Sequence, residues 1–492
     1  MAGLEYSLEK LHEKLTEYCK SEYYPIHMPG HKRNTAWNME SYGIDITEID
    51  GFDNLHQAEG IIKEGESRAA RVFGSEESHY LINGSTCGIL SAVSAVYKKG
   101  KTLIVARNCH KSVYHALLLN EAKAEYLYPK YDKRFCINGG ISPDEVERMI
   151  ADKGSEICGV LITSPTYDGV VSDIARIVEI AHERKIPVIV DEAHGAHFAA
   201  DGDSPKSAVA CGADIVIQSL HKTLPSLTQT AILHVNGVLV DRNCLRQYLQ
   251  IYQTSSPSYV LMASISRCID WLETEGKKEY KAFHEKLDKF HAMTDNLKHL
   301  HILRKQDYFD GKKSESHYAV FDYDESKVLI STVGTKMGGK ELSDLLRKEY
   351  HIEMEMAAKD YALGIFTAMD TDEGMTRLAD ALINIDAALD RDCKEASSKK
   401  LQGECENPKD SIAQYPISIR IHTIADALKK EQETVTFDKA LERECAEFIY
   451  VYPPGIPLLA PGECVSKEIY SLLGQLQEKG LLTLDTVRVV QR

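Results

Sequence analysis

The sequence predicts an α/β protein whose largest domain has a mainly parallel sheet. Short β-branched runs recur along the chain, and helix-period stretches such as 142–153 and 173–185 lie between them. Strands that alternate with helices are typical of parallel sheets, which bind ligands at the carboxyl ends of their strands. The predicted strands are residues 102–106, 159–163, 187–191, 214–218 and 230–235.

The composition indicates a folded, acidic protein. Of 492 residues, 43% are hydrophobic and 27% charged, and 58 basic against 74 acidic residues give a net charge of -16. Such a surface disfavours nucleic acid as a partner. Because the chain has neither a signal-peptide core nor about 18 consecutive apolar residues, we expect a cytoplasmic protein without a membrane span. Twelve cysteines without a CxxC pair indicate reduced thiols, and we expect no metal site.

Changes of pattern along the chain predict five parts. Leucines at helical spacing open the first, and a loop over 25–33 follows them. Strands near 318–322 and 328–331 suggest a second α/β unit. In the last part we expect a helix over 434–447 and a loop over 452–463. The parts are an N-terminal segment (1–59), a major domain (60–300), a small α/β domain (301–393), a polar linker (394–410) and a C-terminal α+β domain (411–492).

A lysine follows the predicted strand 214–218, in the run Ser219-Leu220-His221-Lys222-Thr223. Taken alone, Lys222 is more simply a solvated loop residue, since most lysines are exposed. At the end of a buried strand, however, desolvation lowers the pKa of a lysine and makes its free amine a nucleophile. Lys222 is therefore a candidate for covalent binding of an aldehyde.

A carboxylate ends the very apolar strand before it, in Asp191-Glu192-Ala193-His194-Gly195. Asp191 is placed to hold a protonated pyridine nitrogen in the ligand crevice. The same letters occur in helicase magnesium boxes, but that function requires an upstream phosphate loop, and none is present. The pattern favours a cofactor site.

Two further runs complete a set of strand-end motifs. Small residues in Asn83-Gly84-Ser85-Thr86-Cys87-Gly88 open a helix, where free N–H groups and two hydroxyls suit a single phosphate. His110, in the run 107–112, follows strand 102–106 and could stack on a flat ring. Alone, these residues are more simply a helix cap and a surface histidine. Together with Asp191 and Lys222 they predict a pyridoxal phosphate pocket, because that cofactor needs all four groups.

One motif points elsewhere. Residues 334–340 match GxxxxGK, but Glu341 stands where a nucleotide-binding loop has Ser or Thr. A carboxylate there would repel phosphates, so we expect a simple turn before a helix over 340–350.

At this point the sequence resembles the Orn/Lys/Arg decarboxylases, a family of fold type I pyridoxal phosphate enzymes. The matching blocks cover nearly the whole chain, including a C-terminal domain that generic aminotransferases lack. The blocks are residues 25–32 (PIHMPGHK), 51–56 (GFDNLH), 83–88, 107–112, 164–169 (SPTYDG), 191–197 (DEAHGAH), 219–230 (SLHKTLPSLTQT) and 452–463 (YPPGIPLLAPGE).

The resemblance implies an activity and an assembly. The activity is decarboxylation of lysine, arginine or ornithine to cadaverine, agmatine or putrescine with release of CO2, feeding polyamine metabolism. The chain looks like the family's short form, because its first block begins by residue 25 and leaves no room for the N-terminal wing domain of longer members. A homodimer or tetramer is therefore expected rather than a decamer. The resemblance also implies that residues 254–256 reach the neighbouring subunit's pocket in such a dimer.

The resemblance also implies roles for individual residues. Lys222 binds the cofactor aldehyde, Asp191 the pyridine nitrogen, and His110 stacks on the ring. Ala193 packs beneath the ring, while His194 and Thr166 lie close to cofactor or substrate. The phosphate is served by Gly84, Ser85, Thr86, Ser219 and His221.

Three alternatives stay open on sequence grounds. The first is another fold type I reaction, such as transamination or an aldolase-like step, against which the block at 452–463 argues. The second is a non-catalytic regulatory homologue, against which the retention of Lys222 and Asp191 counts. The third is a nucleotide-driven protein that uses residues 334–340. The sequence does not choose between lysine, arginine and ornithine.

Overall fold

A computed structural model of the chain describes residues 22, 24–26, 48, 52–200, 202–309, 318–398, 417–451, 455–478 and 482–492. The predicted N-terminal helix and most of block 25–32 lie outside these residues. In the described part, no helix combines the length and the apolarity that crossing a membrane requires.

A seven-stranded, mostly parallel sheet forms the centre of the major domain, as predicted. Four of its six strand pairs are parallel, and only the pairs that involve Ala231–Val235 are antiparallel. The sequence analysis missed its first and last strands. Across the sheet the order is Glu77–Leu81, Ala231–Val235, Ile215–Ser219, Val188–Asp191, Ile157–Thr163, Thr102–Ala106 and Lys123–Leu127.

Both faces of this sheet are buried. Leu103 and Val105 pack into one apolar cluster, and Ile104 and Ala106, which alternate with them, pack into another. This explains why the strands read as continuous β-branched runs. The helices that cover the faces are Ile61–Phe73, Gly84–Val96, Lys111–Leu119, Pro143–Lys153, Ile174–Glu183, Leu220–Thr223, Arg242–Tyr252 and Tyr259–Trp271.

Glycine lets the helix Gly84–Val96 lie close to the sheet. A Cβ on Gly88 would stand 2.6 Å from the Leu81 side chain and 3.2 Å from that of Ile217, so a larger residue would push the helix away. The helix N-terminus is thereby held at the strand ends, where the site forms. Gly84 itself has a φ of +72°, which favours glycine at this turn.

A four-stranded sheet forms the small domain, flanked by the helices Lys277–Thr294, Gly339–Tyr350 and Asp372–Ser398. A parallel pair, Tyr24–Ile26 with Ile352–Met354, attaches the N-terminal segment to it. The pair Val170–Val171 and Asp322–Tyr323 joins it to the major domain. The four strands are His301–Ile302, Lys327–Ser331, Tyr361–Ile365 and Met356–Ala357.

The C-terminal part combines the helices Ile424–Lys429 and Lys467–Glu478 with short strands. The strand Gln432–Thr436 pairs with Thr486–Val490, and Ile449–Val451 pairs with Ile456–Leu459, both in antiparallel orientation.

Short turns complete the description. Single 3-10 turns occur at Leu55–Gln57, Gly154–Glu156, Ala196–Ala199, Lys305–Asp307 and Phe437–Lys439, a π-helical segment at Leu272–Gly276, and a short hairpin at Tyr131–Asp132 and Ile137–Asn138.

Four sequence-based expectations are corrected. The helix predicted over 434–447 is a strand and a 3-10 turn, because pairing with Thr486–Val490 overrides the local pattern. The loop predicted over 452–463 contains a strand. Only residue 322 of the strand predicted over 318–322 is extended and paired. The polar run predicted to be a linker from residue 394 is helical up to Ser398.

Candidate active site

A cavity of about 550 Å³ lies at the carboxyl ends of the central strands. Segments of the major, small and C-terminal domains line it. It brings together every residue that the sequence analysis nominated, although the roles of these residues remain predictions. They are Gly84, Ser85, Thr86, His110, Thr166, Asp191, Ala193, His194, Ser219, His221 and Lys222.

Lys222 and His194 form the centre of the site. The Nζ of Lys222 lies 2.8 Å from Nε2 of His194, within hydrogen-bonding distance. Desolvation lowers the pKa of Lys222 to about 8, although the nearby Asp191 and Glu355 carboxylates act in the opposite direction. Desolvation, reinforced by Lys222, also lowers the pKa of His194 well below its usual value. Lys222 thus keeps about a tenth of its amine free at pH 7, beside a neutral imidazole.

Asp191 is the last residue of the buried strand Val188–Asp191, and its side chain is itself buried. Desolvation raises the pKa of Asp191, and the Lys222 amine offsets part of that rise. The main-chain N–H of Ala193 donates to its Oδ1 at 3.2 Å. Such a carboxylate favours a cationic or proton-bearing partner in the cavity.

The neighbouring Glu192 points away from this centre. Its carboxylate accepts hydrogen bonds from the Ala208 N–H at 2.7 Å, the Ser207 hydroxyl at 2.9 Å and the Gln218 amide at 2.6 Å. Burial raises the pKa of Glu192 to about 7. Glu192 does not line the cavity, so these contacts indicate a structural carboxyl rather than a magnesium ligand.

Hydroxyls and helix amides gather at one end of the cavity. Ser85 Oγ and Ser219 Oγ are 2.7 Å apart, and Ser85 lies in the first turn of the helix Gly84–Val96. First-turn N–H groups have no partner inside a helix and attract anions. Beside them, Nδ1–H of His221 donates to the Thr230 carbonyl at 2.9 Å. Burial lowers the pKa of His221 to about 4, so an anion here would meet mainly neutral donors.

His110 caps the helix Lys111–Leu119. The Ser112 N–H donates to its Nδ1 at 3.2 Å, and the Ser112 hydroxyl lies 2.8 Å from the same atom. Burial, followed by the charge of Lys222, lowers the pKa of His110 to about 4. The ring is therefore neutral and fixed in orientation, as a stacking residue needs to be.

Buried polar atoms in the cavity lining lack partners. Within the part of the chain that the structure describes, Asn108 Oδ1, Thr163 Oγ1 and His194 Nδ1 are buried without a hydrogen bond, and all three residues line the cavity. Buried polar groups are normally satisfied. A polar ligand would satisfy them, and the donor set of amine, carboxylate, neutral imidazoles and anion site fits pyridoxal phosphate.

Polar residues that the sequence analysis did not nominate also line the cavity, some from the small domain and some from the major domain. Glu355 lines the cavity and accepts a hydrogen bond from the Tyr167 hydroxyl. Asp168 accepts from the Tyr361 hydroxyl at 2.7 Å, and burial raises the pKa of Asp168 to about 6. Tyr167 and Asp168 lie within the SPTYDG block, so a signal for them existed. Nothing in the local sequence marks Glu355, which follows a short strand.

The C-terminal part adds apolar side chains to the cavity lining, and a buried ion pair joins it to the major domain. Ile456 and Leu458 line the cavity. Arg107 of the major domain donates to the Pro457 carbonyl at 2.7 Å and to Glu463 Oε2 at 3.2 Å, with both charged side chains only 2% exposed. Arg107 lies three residues before His110, so this ion pair connects the segment around Glu463 to the site.

Two other segments that the sequence analysis discussed, the GxxxxGK run at 334–340 and residues 254–256, lie apart from the cavity lining. At the GxxxxGK turn, a Cβ on Gly339 would stand 2.0 Å from the Tyr361 carbonyl oxygen, and main-chain oxygens so close disfavour a phosphate. Residues 254–256 are exposed in the single chain. Their contact with a neighbouring subunit stays a prediction. In the described residues, no group of His, Cys, Asp and Glu side chains forms a candidate metal site.

The parallel sheet, the strand-end lysine and the anion site define an enzyme of the fold type I class. The chain belongs to the Orn/Lys/Arg decarboxylase family. The major domain of that family matches residues 10–340, and its C-terminal domain matches residues 414–480.

Relatives and solved structures agree with this family. An arginine decarboxylase of Bacillus anthracis is 32% identical, over 97% of this chain and 96% of the relative. The constitutive lysine decarboxylase of Escherichia coli is 24% identical, and the match covers 93% of this chain but 76% of that longer protein. Lysine decarboxylase A from Pseudomonas aeruginosa has the same fold, with a TM-score of 0.76 and 19% identity over 97% of this chain and 80% of that structure.

Proposed function

We propose that this protein is a pyridoxal phosphate-dependent decarboxylase of a basic L-amino acid. The single observation that carries the proposal is the contact between Lys222 Nζ and His194 Nε2 in a cavity that also holds Asp191 and the Ser85–Ser219 hydroxyl pair. The family adds the reaction class. The products are CO2 and agmatine, cadaverine or putrescine, according to the substrate.

Each end of the cofactor has a matching group in this chain. The Ser85 and Ser219 hydroxyls and the N-terminus of the helix Gly84–Val96 suit the phosphate, Asp191 the ring nitrogen, and Lys222 the aldehyde. His110 is assigned to one ring face and Ala193 to the other. When bound, pyridoxal phosphate supplies an aldehyde that links to amines and a ring that accepts the electron pair left by departing CO2.

The protein residues then hold and move protons. Asp191 keeps a proton at the ring nitrogen, which stabilises negative charge that develops only in the transition state. Loss of CO2 requires a proton at Cα of the substrate, and Lys222 Nζ is our assigned donor. His194 Nε2, 2.8 Å from Nζ, accepts a hydrogen bond from that amine and orients it.

The cation of the substrate side chain needs an acidic partner. We assign it to Glu355, whose carboxylate lines the cavity and acts on the charge of Lys222. The Tyr167 hydroxyl fixes this carboxylate. Ile456 and Leu458 add apolar surface to the cavity lining, which lowers the local dielectric and strengthens the ionic contact. Arginine is the first substrate to test, because the Bacillus anthracis relative is an arginine decarboxylase.

We also propose a cytoplasmic homodimer or tetramer. The described cysteines form no disulfide, which suits a reducing compartment. The exposed residues 254–256 suit a contact with a second copy.

The test is release of CO2 and amine from the purified full-length chain with pyridoxal phosphate, offering arginine, lysine and ornithine separately. Lys222→Ala is expected to abolish release. Lys340→Ala is the matched control, because it removes an exposed lysine of the GxxxxGK turn whose side chain is 74% exposed. It is expected to retain full activity.

Two outcomes would contradict the proposal. One is the absence of CO2 release from all three substrates although the cofactor is bound. The other is CO2 release that survives Lys222→Ala. Formation of an oxo acid without CO2 would indicate transamination instead.

A further inference from the structure

A buried charge pair of the small domain, Lys327 with Asp324, lies beside His194. Lys327, the first residue of the strand Lys327–Ser331, has a side chain that is 0% exposed. Its Nζ donates to Asp324 Oδ2 at 2.7 Å, to Ser326 Oγ at 3.1 Å and to the His194 carbonyl at 3.3 Å. A lysine of the small domain thus holds the main chain of a residue that contacts Lys222.

The partner carboxylate extends this contact. Asp324 Oδ1 accepts from the Ser326 N–H at 3.0 Å and lies 3.2 Å from Nε2 of His197. Burial alone would raise the pKa of Asp324, but Lys327 and His197 hold it well below its usual value. Asp324 is therefore ionised, and it compensates the buried ammonium of Lys327.

Main-chain contacts fix the pair relative to the major domain. The Asp324 N–H donates to the Gly169 carbonyl at 2.9 Å. Gly169 has a φ of +98°, and a Cβ there would stand 3.0 Å from Lys327 Cβ and 2.9 Å from the Asp324 carbonyl oxygen. Only glycine fits between the two domains at this point. The position of Lys327 is thus built into the domain junction rather than left to a flexible side chain.

We propose that Lys327 is a positioning residue for the reaction, which fixes the His194 main chain against Lys222 and adds a positive charge near the Lys222 amine. The inference rests on the proposed function, in which the free Lys222 amine has a task. It assigns to the small domain a part in setting the protonation of Lys222.

The charges around Lys222 make this effect measurable. Burial and the Lys327 ammonium lower the pKa of Lys222, whereas Asp191 and Glu355 raise it. The neutral imidazoles of His110, His194 and His221 also line the site. Loss of the Lys327 charge leaves the two carboxylates less opposed, so the Lys222 ammonium becomes more stable.

The test is an NMR titration of Lys222 in the cofactor-free full-length chain after reductive methylation with 13C-formaldehyde, with Lys222→Ala to identify its signal. In Lys327→Met we expect the Lys222 titration midpoint to rise by about half a pH unit or more, which leaves about threefold less free amine at pH 7. Lys327→Arg keeps the charge and is expected to retain the original midpoint.

A second variant addresses folding. Lys327→Met leaves the buried Asp324 carboxylate without its lysine partner, whereas Lys327→Met with Asp324→Asn removes both charges and is expected to show the same upward shift in a stable protein. If neither methionine variant moves the midpoint, the proposal is overturned, and Lys327 is merely structural. The proposed function fails separately, by the absence of CO2 release, because the titration needs neither cofactor nor substrate.

Discussion

The two sides of the cavity are held in different ways. The strand-end side belongs to the major domain and consists of Ser85, Asp191, Ser219 and Lys222. Each of these residues lies at the end of a buried strand or in the first turn of the helix that follows one. The opposite side comes from the small and C-terminal domains and consists of Glu355, Ile456 and Leu458. It meets the major domain through the buried Arg107–Glu463 ion pair and through the hydrogen bond from Lys327 to the His194 carbonyl.

This difference suggests a division of tasks. A strand end in a closely packed sheet fixes a side chain to within a fraction of an ångström, as proton transfer and covalent chemistry require. A side supplied by other domains can change its lining without altering the chemistry. We therefore expect substitutions on the strand-end side to affect kcat, and those on the opposite side to affect substrate binding or domain docking.

The largest effect is expected on the strand-end side. Asp191→Ala removes the carboxylate that would keep a proton at the ring nitrogen, and we expect kcat to fall by about 10³-fold or more. Amine release at saturating substrate measures this loss, and the absorbance of bound cofactor checks occupancy. Asp191→Glu keeps the charge and should retain more activity. A kcat within tenfold of the parent in Asp191→Ala would refute the assignment.

The next largest effect concerns the Arg107–Glu463 ion pair between the major domain and the C-terminal part. Glu463→Gln leaves the Arg107 guanidinium buried without its anion, and we expect a loss of about 3–5 kcal/mol in unfolding free energy, measured by urea denaturation. Arg68→Ala, which breaks an ion pair with side chains 33% and 56% exposed, should cost no more than about 1 kcal/mol. Equal losses of unfolding free energy in the two variants would mean that the buried Arg107–Glu463 pair stabilises the protein no more than an exposed ion pair does.

A smaller effect is expected from Glu355→Gln. Because a hydrogen bond to a charged group contributes about 1.5–3 kcal/mol, kcat/KM for the cationic substrate should fall by roughly 10- to 100-fold, mainly through KM. Glu353→Gln is the matched control, since Glu353 lies two residues earlier and does not line the cavity. An unchanged KM in Glu355→Gln would remove Glu355 from substrate binding.

The smallest effect is a pH dependence of stability. The pKa of Asp168 is raised to about 6, above its ordinary value of 3.8, so the folded protein keeps a proton that the unfolded chain has already lost. The folded state therefore loses stability as pH rises from about 4 to 6, and the cost stays constant above that range. Asp168→Asn should gain up to about 2 kcal/mol relative to the parent between pH 4 and pH 7.

Urea midpoints of parent and variant at the two pH values measure this gain. Tyr361→Phe provides the contrast, because it removes the hydroxyl that donates to Asp168 at 2.7 Å and should deepen the loss at neutral pH. A constant difference between Asp168→Asn and the parent across this range would contradict the raised pKa.

Much of the strand-end side was predictable from local sequence. Residues 102–106, predicted as a strand, are the strand Thr102–Ala106, and the other four predicted strands are confirmed to within two residues at each end. Asp191 and Lys222 follow from the rule that parallel sheets bind ligands at strand carboxyl ends. Each of these inferences needs only a short window of sequence, because the hydrophobic run and the polar residue that ends it are adjacent.

The opposite side was not predictable in this way. Glu355 lies 133 positions from Lys222, on a connection between two short strands, and no local pattern separates it from Glu353. Residues 434–436 of the strand Gln432–Thr436 fall within the predicted helix 434–447, because the strand that pairs with them, Thr486–Val490, lies about 50 residues further on. Strand pairing at such separations depends on cross-strand contacts that a local window does not contain.

The sequence by itself determined the α/β class, the strand ends that carry Asp191 and Lys222, and the resemblance to a decarboxylase family. Only the tertiary structure decided that Glu355 enters the cavity, that Arg107 meets Glu463, and that Lys327 holds the His194 main chain. The physical reason is the range of the interactions. Hydrophobic periodicity and strand-end chemistry are encoded in neighbouring residues. The Arg107–Glu463 pair and the Lys327–His194 contact, in contrast, join residues of different domains and form only when those domains pack together.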